Sequence, residues 1–179
     1  YQNNNLVKKF FVELNKYIDI IIEQLLDRFA YQSQFKKRDF PFLMSGVWMD
    51  SDKLERDDSV ASVIKHGTLT VGFIGLAETL KCLVGKHHGE DENADMLGFE
   101  IIKFMRKKVD EVAETHNLNF SLLATPAEGL CEKLVAVDKE KYGVIKGVTD
   151  KAWYTNSFHV PVEFKISMFK KIDIEGKYH

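Results

Sequence analysis

Thr125-Pro126-Ala127-Glu128 follows directly on an apolar, strand-like run, Asn119–Ala124, and precedes a helix-like one. A strand that turns tightly into a helix leaves the helix's first N–H groups without intrahelical partners, and with the helix dipole they suit an anion. Here the N–H groups of Ala127, Glu128 and Gly129, with the Thr125 hydroxyl beside them, would meet phosphate oxygens. The fixed φ of Pro126 would preorganise the first turn. The same residues also read as an ordinary helix start, with Thr125 as cap and Glu128 as capping-box partner. A second segment, Gly147–Pro161 (GVTDKAWYTNSFHVP), has neither helical nor strand period, yet is too aromatic for a solvated linker. Its Tyr154, Thr155, Asn156, Ser157 and His159 suit either a bound sugar or substrate or the buried backbone of an irregular loop. Together the two segments suggest a site for a phosphorylated ligand, because long non-periodic stretches in compact proteins often carry function.

Other reactive side chains read more plainly. His87-His88 with Glu90, Asp91 and Glu92 holds hard-metal donors, but adjacent histidine side chains diverge, so an exposed charged loop and no metal site is expected. Cys82 and Cys131 form no CxxC or zinc spacing, and both are expected to be buried structural thiols. Cys131 sits more than a turn into its helix, where the dipole has faded. Gly67, Gly72 and Gly75 make neither a GxGxxG nor a phosphate-loop pattern.

The elements that must position these residues follow from periodicity. Leu6 to Tyr31 carries apolar residues at spacings of three and four with no Pro or Gly, over an arc wide enough to predict a helix between other elements. Pro41–Met49 reads as a short, largely buried strand or extended segment, and Asp50–Ser59 as a charged loop. Ser59 is placed to cap a short helix through Ile64. Thr68–Ile74 has strand composition, with Gly72 marking a bulge or a close backbone approach. Helices are expected from Gly75 to Val84, Ala94 to Thr115 and Ala127 to Val137, and a strand or short helix over Val162–Phe169. The order α-β-α-α-β-α predicts an α/β protein with helices on a sheet, whose few strands suggest completion by residues outside the chain.

Composition sets outer bounds. The 179 residues suit one domain or a piece of one. A formal net charge of −2 gives no electrostatic case for nucleic acid or a membrane surface. No run of about 18 apolar residues exists to span a membrane, and Tyr1–Lys9 does not resemble a signal peptide. Sparse cysteines predict a reducing, cytoplasmic setting, and the absence of an initiator Met suggests a processed or trimmed chain.

Several strings are longer and more specific than these patterns. HGTLTVGFIGLAETL, GKHH, LNFSLLATPAEGL, YGVIKGVTDK and YTNSFHVPV, in that order between Val63 and His179, resemble the anaerobic (class III) ribonucleoside-triphosphate reductases of the glycyl radical group. The resemblance implies a segment of a ten-stranded α/β barrel, with 1–62 a helix-rich lead-in and 63–179 carrying barrel strands, helices and a substrate-phosphate turn. It implies conversion of ribonucleoside triphosphates to 2′-deoxyribonucleoside triphosphates by glycyl and thiyl radicals. Formate or another reductant, ATP and dNTP effectors, a C-terminal zinc, a radical-SAM activating enzyme and a homodimer are implied for the parent protein. Ala124, Thr125, Pro126, Ala127, Glu128, Gly129 and Asn156 would then contact substrate.

The chain departs from a complete family member. It holds no MGCR-like motif, so neither Cys82 nor Cys131 corresponds to the thiyl cysteine, and no catalytic residue is expected in this segment. It lacks the ATP-cone, the zinc cysteines and the glycyl-radical motif. Its closing Glu175-Gly176-Lys177-Tyr178-His179 resembles the family's EAPYH, after which further barrel strands would follow, so a middle segment of under a third of a usual member is expected. A standalone nucleotide-binding module without catalysis is the alternative. The TPAEGL and YTNSFHVP strings argue against a pyruvate formate-lyase or diol dehydratase piece.

Overall fold

The structure, a computed structural model, describes residues 4–178; Tyr1–Asn3 of the polar start and His179 of the EGKYH string lie outside the described residues. The elements run α1 (Asn4–Gln32), α2 (Ala61–Ile64), β1 (Thr68–Phe73), α3 (Leu76–Val84), α4 (Glu92–His116), β2 (Asn119–Ala124), α5 (Glu128–Tyr142) and α6 (Met168–Glu175), with single 3-10 turns at Lys37–Asp39, Ser51–Lys53 and Gly176–Tyr178. No helix among them is long and apolar enough to cross a membrane.

β1 and β2 pair as a two-stranded sheet. Three contacts fix their sense. The Asn119 amide nitrogen donates to the His66 carbonyl at 3.2 Å, the Thr70 and Ser121 hydroxyls meet at 3.2 Å, and Thr125 lies over Gly72. Both numbers rise together, so the strands are parallel, joined by the crossover through α3 and α4 that parallel pairing requires. The expected α/β character therefore stands.

The chain divides into two compact units: residues 14–71 with 107–121, and residues up to Glu13 with 72–106 and 122–179. In the first, Met44, Val60 and Val63 are buried against Phe35, Phe40, Leu54 and Ile64. The Lys36–Ser59 bridge holds this cluster, with Val60 N–H donating to Phe35 at 3.0 Å. Ser59 Oγ accepts from Ala61 N–H at 3.1 Å, but the cap residue of α2 is Val60, without a side-chain cap bond, so Ser59 stands one residue ahead of the cap position expected for it. In the second unit, Leu76, Leu80 and Leu83 of α3, Leu97, Ile101 and Met105 of α4, Val135 of α5 and Phe158, Val160 and Tyr178 form the buried set.

Three sequence expectations need correction. Pro41–Met49 is a run of turns, closed by Met44 N–H to Phe40 and Trp48 N–H to Leu43. Its apolar residues imitate a strand, but Phe42, Val47 and Met49 are exposed and only Met44 is buried. Val162–Phe169 is neither strand nor helix for most of its length. α6 begins only at Met168, where the Ser167 hydroxyl caps the Lys170 N–H. Finally, α1 is not enclosed, since Leu6, Tyr17 and Ile21 of its apolar arc are exposed while Ile18 and Ile22 are buried.

Candidate functional site

β2 delivers the chain to Thr125, and here Gly72 proves decisive. A Cβ on Gly72 would stand 2.1 Å from Thr125 Oγ1, so glycine lets the Thr125 side chain lie against β1 as it stands. The close approach expected at Gly72 is therefore present. The Thr125 hydroxyl donates to the Leu123 carbonyl at 3.3 Å, an exposed local bond.

The helix start lies later than its Pro suggests. Pro126 is outside α5, and Ala127 is the cap residue, at φ −122° and ψ 52°, without a side-chain cap bond. The proposed Thr125–Glu128 capping box is absent. The Ala127 N–H is not free, because it donates to Asn156 Oδ1 at 3.0 Å. The donors that find no partner among the described residues are the N–H groups of Glu128, Gly129 and Leu130, all exposed; the first bond into the helix is Cys131 N–H to the Ala127 carbonyl at 2.8 Å. Ala124, Thr125, Pro126, Ala127, Glu128 and Gly129 thus form one continuous turn, and Leu130 joins it. Sequence reasoning missed Leu130 because it began the helix at Ala127 and counted that residue's N–H, which Asn156 takes, among the open donors.

The irregular segment meets this turn. Asn156 is half-buried, and its Oδ1 accepts from both Ala127 N–H and Cys131 Sγ at 3.0 Å. Cys131 is 1% exposed, and burial pushes its thiol above the ordinary range, as a structural cysteine requires. Cys82 is not buried as expected. It is exposed on α3 and faces a cavity of about 630 Å3 lined also by Phe10, Leu83, Leu134, Tyr142 and Tyr154. A second cavity of about 460 Å3 opens beside the turn, lined by Glu128, Cys131, Trp153, Asn156, His159 and Lys171.

The residue most clearly missed in sequence is Glu78, which is 3% exposed. It sits in the first turn of α3, where a carboxylate complements the dipole. It accepts from the Thr155 hydroxyl at 2.7 Å, the Thr155 N–H at 3.2 Å and Lys151 Nζ at 2.5 Å. Burial lowers the Lys151 ammonium, but the bond to Glu78 and its charge outweigh that and raise it above the usual lysine range. An acid three residues after a glycine that starts a helix was the only available signal.

The histidine loop is also a correction. His87 and His88 are buried at 4% and 2% exposure, not displayed on a charged surface. His87 Nδ1 accepts from Gly89 N–H at 3.0 Å and its ring meets Phe164 edge-on at 4.8 Å. His88 Nε2 donates to the Phe158 carbonyl at 2.7 Å, while Tyr178 stacks on Phe158 at 5.5 Å and donates to Asp95 at 2.8 Å. Among the described residues no group of three or more His, Cys, Asp or Glu side chains is arranged to hold a metal.

Burial lowers the His87 imidazole from 6.5 to about 4 and also lowers His88. The folded chain therefore keeps a neutral His87 while the unfolded chain takes up a proton near 6.5. This stabilising contribution is complete above pH 6.5 and is lost as pH falls toward 4. An NMR titration should place the His87 midpoint near 4, and urea midpoints should drop across the same window. A midpoint near 6.5 would show the ring to be solvated.

Two parallel βα units, the second with exposed helix donors at the C-terminal end of its strand, make this an α/β protein. The family profile described as anaerobic ribonucleoside-triphosphate reductase matches residues 1–179, and the chain belongs to that family. It is 36% identical over 173 residues to the anaerobic ribonucleoside-triphosphate reductase of Escherichia coli (strain K12), covering 94% of this chain and 24% of that protein. It is 39% identical over 173 residues to the enzyme of the same name from Enterobacteria phage T4, covering 94% of this chain and 27% of that protein. The chain thus spans about a quarter of the length of the curated relatives it matches.

Proposed function

We propose that the chain is a segment of the catalytic α/β barrel of an anaerobic ribonucleoside-triphosphate reductase, of the ten-stranded type its family resemblance implies. In this reading the parent protein converts ribonucleoside triphosphates to their 2′-deoxy forms by radical chemistry, and this segment contributes phosphate contacts. The observation that carries the assignment is the set of exposed, unpartnered N–H groups of Glu128, Gly129 and Leu130, at the end of a parallel strand. A polyanion there gains hydrogen bonds and the helix dipole together. Neither Cys82 nor Cys131 takes a radical role. Neither stands in an MGCR-like motif, which the family resemblance places around the thiyl cysteine.

The reading has a direct test. On adding a ribonucleoside triphosphate, the amide resonances of Glu128, Gly129 and Leu130 should move, and the matching ribonucleoside without phosphate should leave them in place. Equal shifts with both compounds, or none with either, would remove the phosphate assignment.

A further inference from the structure

The segment Tyr154–Ser157 alternates its bonds between the starts of two helices. Tyr154 N–H donates to the Cys131 carbonyl at 3.3 Å, and Asn156 Oδ1 accepts from Ala127 N–H at 3.0 Å, so residues 154 and 156 hold α5. Gly75 N–H donates to the Thr155 carbonyl at 2.8 Å and Leu76 N–H to the Ser157 carbonyl at 3.2 Å, so residues 155 and 157 hold α3. One short strap thus holds the starts of both helices. Ser157, 2% exposed, is held at φ 44°, a left-handed backbone that a non-glycine residue keeps only when its surroundings enforce it.

The orientation of Asn156 follows from chemistry. A backbone N–H only donates, so the atom facing Ala127 is the carbonyl oxygen and the amide nitrogen points away. Its neighbour Thr155 is itself held in place. Glu78 fixes it twice, through the Thr155 hydroxyl and through its N–H. We propose that Thr155 and Glu78 are positioning residues for the phosphate turn: they act through Asn156 to set which N–H groups of α5 stay free. The inference rests on the phosphate reading above. It adds that the β1–α3 turn governs the β2–α5 turn.

Thr155→Val removes the hydroxyl while keeping the side chain's shape, and Thr155→Ser restores it. In the complete gene product, the valine variant should bind the ribonucleoside triphosphate about three- to tenfold more weakly, the span that one net hydrogen bond gives. Affinity for the matching ribonucleoside should not change, and the serine variant should recover the loss. Hydrogen exchange over Ala124–Leu130 should quicken in the valine variant alone. If the valine variant does not fold, Glu78→Gln, which keeps one acceptor oxygen, serves the same comparison. Unchanged exchange at the turn would overturn the proposal whatever happens to binding, as would an equal loss for triphosphate and nucleoside. Faster exchange with unaltered triphosphate affinity would uphold the coupling of the two turns and instead overturn the phosphate reading of α5.

Discussion

Replacing Gly72 with alanine lowers the stability of the chain by about 2 kcal/mol, the usual cost of forcing a methyl group into a filled site. The expectation follows from one distance. The new Cβ would lie 2.1 Å from Thr125 Oγ1, with Thr125 Cβ at 3.4 Å, so relief requires the threonine to turn or the β2–α5 turn to retreat. Either response disturbs the residues just ahead of the open N–H groups of α5, so triphosphate affinity should fall at least tenfold with stability. The double variant Gly72→Ala with Thr125→Ala separates this cause from others. It removes the clashing oxygen and should regain most of the lost stability, giving a coupling far outside the additivity expected of independent sites. Urea midpoints of the two single variants and the double variant make the measurement. A neutral Gly72→Ala, or one that Thr125→Ala does not rescue, would show that the turn does not depend on this contact.

The second large effect is at Glu78. Glu78→Ala strips two bonds from the strap, both to Thr155, and leaves Lys151, whose side chain is 21% exposed, without its nearest carboxylate. Removing one partner of a buried ion pair costs about 3–5 kcal/mol. Lys151 also reaches Glu163 at 3.3 Å, and that carboxylate is 62% exposed, so the ammonium keeps a solvated partner and the loss should fall near the lower figure. Adding Lys151→Met removes the stranded charge and should restore part of the stability. A loss of under about 1 kcal/mol for Glu78→Ala would place the pair among weak surface bridges and sink the argument.

These residues show where sequence reading works and where it stops. The apolar spacing from Leu6, the β-branched run at Thr68 and the strand before Thr125 specify their elements, because hydrophobic period and backbone preference act within a few residues. The turn at Thr125-Pro126-Ala127-Glu128 was legible for the same reason, and so was the oddity of Gly72 within a strand. The family was legible too, because long unusual strings carry it. The true start of α5 was not. Pro126 is locally suited to the first helical position, but Asn156, 29 residues away from Ala127, takes the Ala127 N–H and makes that residue the cap. Nor was the burial of His87 and His88, which a charged loop disguises and which depends on Phe158, Phe164 and Tyr178 arriving from far along the chain.

The sequence by itself determined the α/β class, the two strands, the long helices and the family. Each of these rests on patterns that neighbouring residues complete among themselves. Tertiary structure alone decided which N–H groups of α5 remain open, which acid holds the irregular segment, and that Cys82 faces a cavity while Cys131 is buried. Those outcomes depend on hydrogen bonds and contacts between residues tens of positions apart. The separation from Glu78 to Thr155 is 77 residues, and no local preference encodes a bond across it.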